Sequence, residues 1–199
     1  MKITIAPYDP NWSVLFSDLK KEIGEILKEL DPVIEHVGST SVPKLAAKPI
    51  IDIAVGLSKK NDLDRTIEPM MDNHFIYYEI FNEGMPNRRL FVKLKNGHHL
   101  RFPKKFSEGD DIPHDELNLV RIAHVHIWEF GTSEWTRHIA FREYLKTHEE
   151  VKKQYANLKK ELSKINWEHG MAYNDGKNDF IKREEAKAVA WYNSKQGRT

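Results

Sequence analysis

Glu35-His36-Val37-Gly38-Ser39-Thr40-Ser41-Val42-Pro43, continuing after a short gap as Lys48-Pro49-Ile50-Ile51-Asp52-Ile53-Ala54-Val55, decides how this chain is read. Gly38 lets the backbone come close to a ligand, the hydroxyls of Ser39, Thr40 and Ser41 add donors, and Lys48 is the nearest cation for a phosphate. Asp52 stands in an apolar run with Ile50, Ile51, Ile53 and Val55. A carboxylate in such company is paired, bound to a metal or placed at the mouth of its strand, because desolvating an unpaired charge is prohibitive. The stretch therefore predicts a strand over 33–37, a phosphate-cradling turn, and a buried strand over 50–57.

Outward from this stretch, Asp9-Pro10 reads as a cap with proline in the first turn of a helix. Trp12, Leu15, Phe16, Leu19, Ile23, Ile26, Leu27 and Leu30 recur at helical spacing and predict its core-facing stripe. Residues 2–5 read as a short edge strand, 62–72 as a second helix, and 75–80 and 89–94 as strands. Asn96-Gly97, between FVKL and HHLRF, is a hairpin signal, since both central positions of a type I′ turn need positive φ. The polar stretch 103–118 reads as a surface loop and 122–130 as a strand. Helices are expected after Thr132-Ser133-Glu134, through Val151, Tyr155, Leu158 and Leu162, and over about 172–194. The fold class is α+β: a mixed sheet flanked by helices, in one domain over 1–199 with a helical C-terminal region from about 132.

Composition narrows the function. The chain has 31 Lys and Arg against 30 Asp and Glu, so there is no global field for nucleic acid or an anionic membrane. It has no cysteine, which removes disulfides, thiolate metal sites and a cysteine nucleophile. MKITIAPYDP lacks the apolar core of a secretory signal, and no run approaches the roughly 18 apolar residues of a membrane span. The expectation is a cytoplasmic protein. No aromatic series alternates with basic residues as a nucleic-acid stacking platform would. The oligomeric state is not legible.

Taken together, these motifs resemble the polymerase-beta-like nucleotidyltransferases, in which a Gly-Ser turn holds the triphosphate and acidic residues alternating on the next strand hold magnesium. Twelve residues separate Ser39 from Asp52, which suits that pattern. More narrowly, EHVGSTSVPKLAAKPIIDIAVGL is similar to the hallmark of the GrpB family. The likeness extends to HVHIWEFG at 124–131, WTRHIAFREYL at 135–145 and YNDGKNDFI at 173–181. The resemblance implies a nucleotidyltransferase-like fold, a nucleotide or phosphorylated small molecule as ligand, and Mg2+ or Mn2+ as cofactor. One position departs from the pattern. Side chains i and i+2 share a strand face and bind the same ions, yet the residue two after Asp52 is Ala54. Glu35, Glu129, His124 and His126 are the candidates to replace the missing carboxylate.

His124 and His126 flank Val125, so on a strand both face one side, where they suit catalysis, a phosphate or, with Asp52, a metal. The plainer reading is a hydrogen-bonded pair on a half-exposed sheet. Arg88, Arg137 and Arg142 are candidate phosphate clamps because guanidinium donates bidentately. A salt-bridged surface residue is the alternative for each, and the preferred one for Arg89. Lys177 follows Gly176 and reaches a bound anion or, more plainly, solvent. His98, His99, His114, His148 and His169 read as surface residues. Three functions follow: nucleotide or phosphate binding with metal-dependent nucleotidyl transfer, a non-catalytic ligand-binding module with a degenerate site, and a histidine-dependent phosphoesterase.

Overall fold

The computed structural model describes residues 2–167 and 170–197. His169 lies outside the described residues. Helix α1 (Asn11–Ile26) begins where expected, with Asp9 Oδ1 accepting the Asn11 N–H at 2.9 Å. Strands β1 (Val33–Val37) and β2 (Ile51–Leu57) enclose the Gly38 turn. Helix α2 (Ile67–Asp72) is shorter than 62–72, two 3-10 turns preceding it. Pro69 sits in its first turn, and the proline ring clashes with a helical carbonyl four residues back, so an α-helix cannot run into it from 62. Strands β3 (Phe75–Tyr78), β4 (Arg89–Leu94) and β5 (Lys105–Phe106), helix α3 (His114–Val120) and strand β6 (Arg121–Glu129) follow. Helices α4 (Ser133–Thr147), α5 (Glu149–Leu162) and α6 (Gly170–Lys195) end the described chain. Thr132 caps α4, its side chain accepting from Trp135 N–H.

The strands form a six-stranded sheet in the order β1-β2-β6-β4-β3-β5, parallel at β2/β6 and β3/β5 and antiparallel elsewhere. Period-two alternation divides its faces. Ile51, Ile53 and Val55 of β2 with Ala123, Val125 and Ile127 of β6 face one way, and the stripe of α1 (Trp12, Leu19, Ile23) packs on them with Met70 of α2. Each such side chain taken out of water contributes about 1.5–3 kcal/mol. The opposite face carries Asp52 and Ala54 beside His124 and His126, and the C-terminal helices cover it. Val42 and Leu45 of the turn are clamped by Leu145 of α4 and Tyr155 of α5.

Three expectations are corrected. Residues 2–5 form no sheet strand; Ala6 instead exchanges both backbone hydrogen bonds with Ala47, at 2.9 and 3.0 Å, tying the N-terminus to the loop before β2. Asn96-Gly97 forms no hairpin. Gly97 has φ +78° but Asn96 is not among the positive-φ residues, and β4 already has β6 and β3 on its two edges, leaving no edge for a returning strand. The chain turns into a 3-10 helix at His98–Arg101 instead. The segment 103–118 is not wholly loop. It contains β5 and most of α3, whose first turn carries Asp115 and Glu116, favourable at a helix N-terminus, and whose Leu117 is fully buried. No helix among the described residues is long and apolar enough to cross a membrane.

Candidate functional site

Register puts the site together. Because β2 and β6 pair in parallel with Asp52 opposite His124 and Ala54 opposite His126, three polar side chains converge on one sheet face. His124 Nδ1 lies 3.0 Å from Asp52 Oδ1, and Arg121 Nη1 lies 3.1 Å from His124 Nε2. A guanidinium only donates, so Nε2 accepts, the ring proton sits on Nδ1, and His124 donates it to Asp52. Arg121 also donates to the Tyr78 hydroxyl at 3.3 Å. Burial pulls the Asp52 carboxyl upward, but the His124 hydrogen bond and the nearby His126 and Lys177 outweigh it and hold it below the usual carboxylate range. Burial lowers His124 and, more strongly, His126. The face therefore presents an ionised carboxylate and two neutral imidazoles.

Gly38 shapes the approach. Its φ of +69° with ψ −172° belongs to a region essentially reserved for glycine. A Cβ there would overlap Asp52 Oδ2 and stand 2.9 Å from Asp52 Cβ, so the turn lies directly on the carboxylate. Of the three hydroxyls that follow, only part is offered to a ligand. Ser39 and Thr40 both line the cavity, but the Thr40 hydroxyl is buried and bonded to His36 at 3.0 Å; Ser41 is turned back, donating to the Gly38 carbonyl at 2.6 Å.

A cavity of about 450 Å³ opens over this face. Five cationic residues line it, Lys48, Arg88, Arg121, Lys159 and Lys177, and among the described residues Asp52 is its one carboxylate. None of the five forms an ion pair among the described residues. The contacts found for them are neutral: Lys48 with Asn118 at 3.2 Å, Lys159 with Ser39 and the Ala46 carbonyl, Lys177 over the Tyr173 ring at 4.4 Å. Desolvation lowers the lysines, Lys48 and Lys177 to about 8 and Lys159 to about 7. Like-charged neighbours push the same way, Arg121 on Lys48 and Lys177 on Lys159. Charges so crowded and uncompensated are costly to bury, and an anion is what would relieve them.

The other arginines do not reach this cavity. Arg137 is engaged by Glu134 at 2.8 Å and Glu185 at 2.9 Å, and Arg142 by Glu35 at 2.6 Å and Glu143 at 2.7 Å. Arg142 lines a smaller adjoining cavity of about 210 Å³ that shares Gly38, Ser39, Asp52, His126 and Tyr155 with the larger one. Their geometry is that of structural ion pairs, which corrects their reading as phosphate clamps. Arg89 likewise pairs with Asp64 at 2.6 Å. Ala54, where a second carboxylate was sought, is fully buried against Val37, Trp128 and Trp135. Glu35 is taken by Arg142, and Glu129 does not line either cavity. His126 stacks on Trp128 at 5.3 Å, with its Nδ1 buried and without a partner. Ligand atoms of Asp52, His124 and His126 lie within 4.8 Å of one another, a grouping able to hold a metal ion.

A family model described as GrpB protein matches residues 2–187. The chain belongs to the GrpB family. It is 31% identical over 197 residues to the UPF0157 protein YqkA of Bacillus subtilis, covering 99% of this chain and 49% of YqkA, so it spans about half the length of that relative. It is 28% identical to the glutamate-rich protein GrpB of Alkalihalophilus pseudofirmus, over 90% of this chain and 92% of that one. Among solved structures, the conserved protein GrpB from Enterococcus faecalis is similar with a TM-score of 0.74 at 30% identity, over 95% of this chain and 99% of the other.

In this GrpB chain, reasoning from sequence missed Arg121, Lys159, Tyr155 and Asn118 as parts of the site. A signal existed for Lys159. Lys152, Tyr155 and Lys159 occupy one face of α5 at i, i+3 and i+7, and all three are buried. A lysine in register with a buried aromatic on a helix is a cation turned inward. Asn118 carried no such mark, because α3 was hidden in a polar stretch, and Arg121 is the first residue of β6, just ahead of the strand predicted over 122–130.

Proposed function

We propose that this protein binds a phosphorylated small molecule of several negative charges, a nucleotide or a phosphoanhydride, in the cavity between the Gly38 turn, the Asp52–His124 face and helices α5 and α6. One observation carries this reading: five Lys and Arg residues line the cavity against a single carboxylate, and none has a counter-ion among the described residues. The phosphate chain lies toward Lys48, Arg121 and Lys177, and the remainder of the ligand has Phe81, Leu90 and Val92 among the apolar residues of the lining.

The donor set decides which metal suits the site. Magnesium takes oxygen ligands in an octahedron, and the protein offers it one carboxylate. His124 is already held through both nitrogens, which leaves Asp52 and His126 as donors. Asp52 and His126 would hold a divalent ion that tolerates imidazole beside carboxylate, as manganese does, better than they would hold magnesium. Such an ion would polarise the phosphate. Two observations favour a binding module over efficient nucleotidyl transfer: Ala54 is sealed in an apolar cluster, and no second carboxylate lines the cavity among the described residues. A phosphoesterase built on His124 finds no free nitrogen, so His126 would have to serve.

A thermal-shift series with pyrophosphate, nucleoside triphosphates and coenzyme A, with chelator or with manganese, tests this. At a hundred times Kd a ligand stabilises by about 2.7 kcal/mol, roughly 5–10 °C for a chain of this size. The expected result is such a shift with polyanions in chelator, kept by Asp52→Ala, and a further manganese-dependent increment lost in that variant. Melting temperatures unmoved by every polyanion would end the proposal.

A further inference from the structure

One arrangement in the cavity wall is not needed to bind an anion. Lys159 Nζ lies 3.0 Å from Ser39 Oγ and 2.5 Å from the Ala46 carbonyl oxygen, over the Tyr155 ring at 4.5 Å, and the residue is only 2% exposed. Tyr155 lines both cavities together with Ser39. Ser39 itself follows the Gly38 turn and borders both cavities, with Asp52 on its far side.

We infer that Ser39 is a nucleophile with Lys159 as its base, and that it forms a transient covalent bond to phosphorus of the phosphoanhydride held in the cavity. The inference rests on the anion-binding reading for its substrate class. The neutral amine donates one N–H to Ala46 O, which leaves its lone pair for the Ser39 proton. Ser39 Oγ attacks phosphorus; the Oγ–P bond forms, the bridging P–O bond breaks, and the Ser39 proton passes to Lys159. The leaving phosphate or pyrophosphate departs with the bond's electron pair, its charge met by Lys48, Lys177 and Arg121. Water then attacks the phosphoserine, and Ser39 leaves with the proton returned by Lys159. No oxidant or further reactant is needed. Nucleophilic catalysis by a hydroxyl requires such an adjacent base.

The charges around Lys159 support the role. Burial lowers it to about 7, Lys177 of α6 adds to that, and Asp52 of β2 opposes it. Tyr155 on its own helix and Tyr173 on α6 are both held above the usual phenol range by burial, so neither competes as the base near neutrality. A substantial fraction of Lys159 is therefore unprotonated at neutral pH, unlike an exposed lysine. Ser41, two residues on, is the natural contrast, because its hydroxyl is bound to the Gly38 carbonyl and lines neither cavity.

Diisopropyl fluorophosphate is the probe, since it is uncharged and its reaction does not depend on the cationic wall. Intact mass and peptide mapping across pH 6–9 should show Ser39, and not Ser41, modified at a rate rising with a midpoint near 7. Lys159→Arg keeps the donor to Ala46 but cannot accept a proton, and should slow labelling roughly a hundredfold or more and abolish the pH dependence. Ser39→Ala should lose the modification. Thermal melts establish that each variant is folded, and Lys159→Met serves if the arginine variant is not. Ser39 reacting no faster than Ser41 at any pH overturns the inference. So does labelling that Lys159→Arg and Lys159→Met leave unchanged. Calorimetric titration with pyrophosphate separates the two readings: binding without Ser39 reactivity sinks the nucleophile alone, and Ser39 reactivity without binding sinks the anion site and its phosphoanhydride substrate.

Discussion

Gly38→Ala is expected to lower the melting temperature by roughly 6–12 °C, at about 2–4 °C per kcal/mol for a chain of this size. Two effects add. The backbone at φ +69°, ψ −172° is forbidding to any residue with a Cβ, at a cost of about 1–3 kcal/mol. The new methyl would also overlap Asp52 Oδ2, so either the turn or the carboxylate must move. Movement of the turn displaces Ser39 and the Lys159 bonded to it at 3.0 Å in the cavity wall, which is why the same variant should weaken the polyanion-induced thermal shift. Gly84→Ala is the control. Its Cβ meets nothing within 4 Å and its φ is not positive, so its melting temperature should stay within about 2 °C of wild type.

Removing one cation is expected to have the next largest effect. Lys177→Met should weaken pyrophosphate binding roughly 10–100-fold, the range for losing one hydrogen bond to a charged group in a desolvated site. Lys153→Met, on the exposed side of α5, should change it little. Affinity should also depend on pH in a definite direction. Lys48 and Lys177 at about 8 lose their protons through pH 7–9, so binding is strongest below that window and falls as pH rises through it. A bound anion raises these two pKa values, so binding takes up protons there, measurable in buffers of different ionisation enthalpy. Without ligand the sign reverses. The folded state holds these lysines below their unfolded value, the unfolded chain binds more protons between about pH 7 and 10, and stability rises with pH across that interval.

The framework of this site was legible because its signals are local. Apolar runs fixed β1, β2 and β4, and the Gly38 turn and the one-sided His124-x-His126 pair followed from strand periodicity. That β2 and β6 are neighbours, so that Asp52 meets His124, follows from no local pattern and is seen only in the sheet register. The errors have a common cause: pairing partners come from elsewhere in the chain. Asn96-Gly97 looks like a hairpin only until both edges of β4 are seen to be occupied. Arg88, Arg137 and Arg142 look alike in sequence. What separates them is that Glu134, Glu185, Glu35 and Glu143 fold against the latter two and that Arg88 lines the cavity. A lysine on a charged helix is usually exposed, and only the phase of Lys159 with Tyr155 marks it as buried.

A crystal structure grown with saturating pyrophosphate tests the central claim most directly. The account predicts the anion within hydrogen-bonding distance of Lys48, Lys177 and Arg121 and beside the Ser39 turn, with Lys159 and Ser39 still in contact. Pyrophosphate bound elsewhere, with this cavity holding only water, would contradict it.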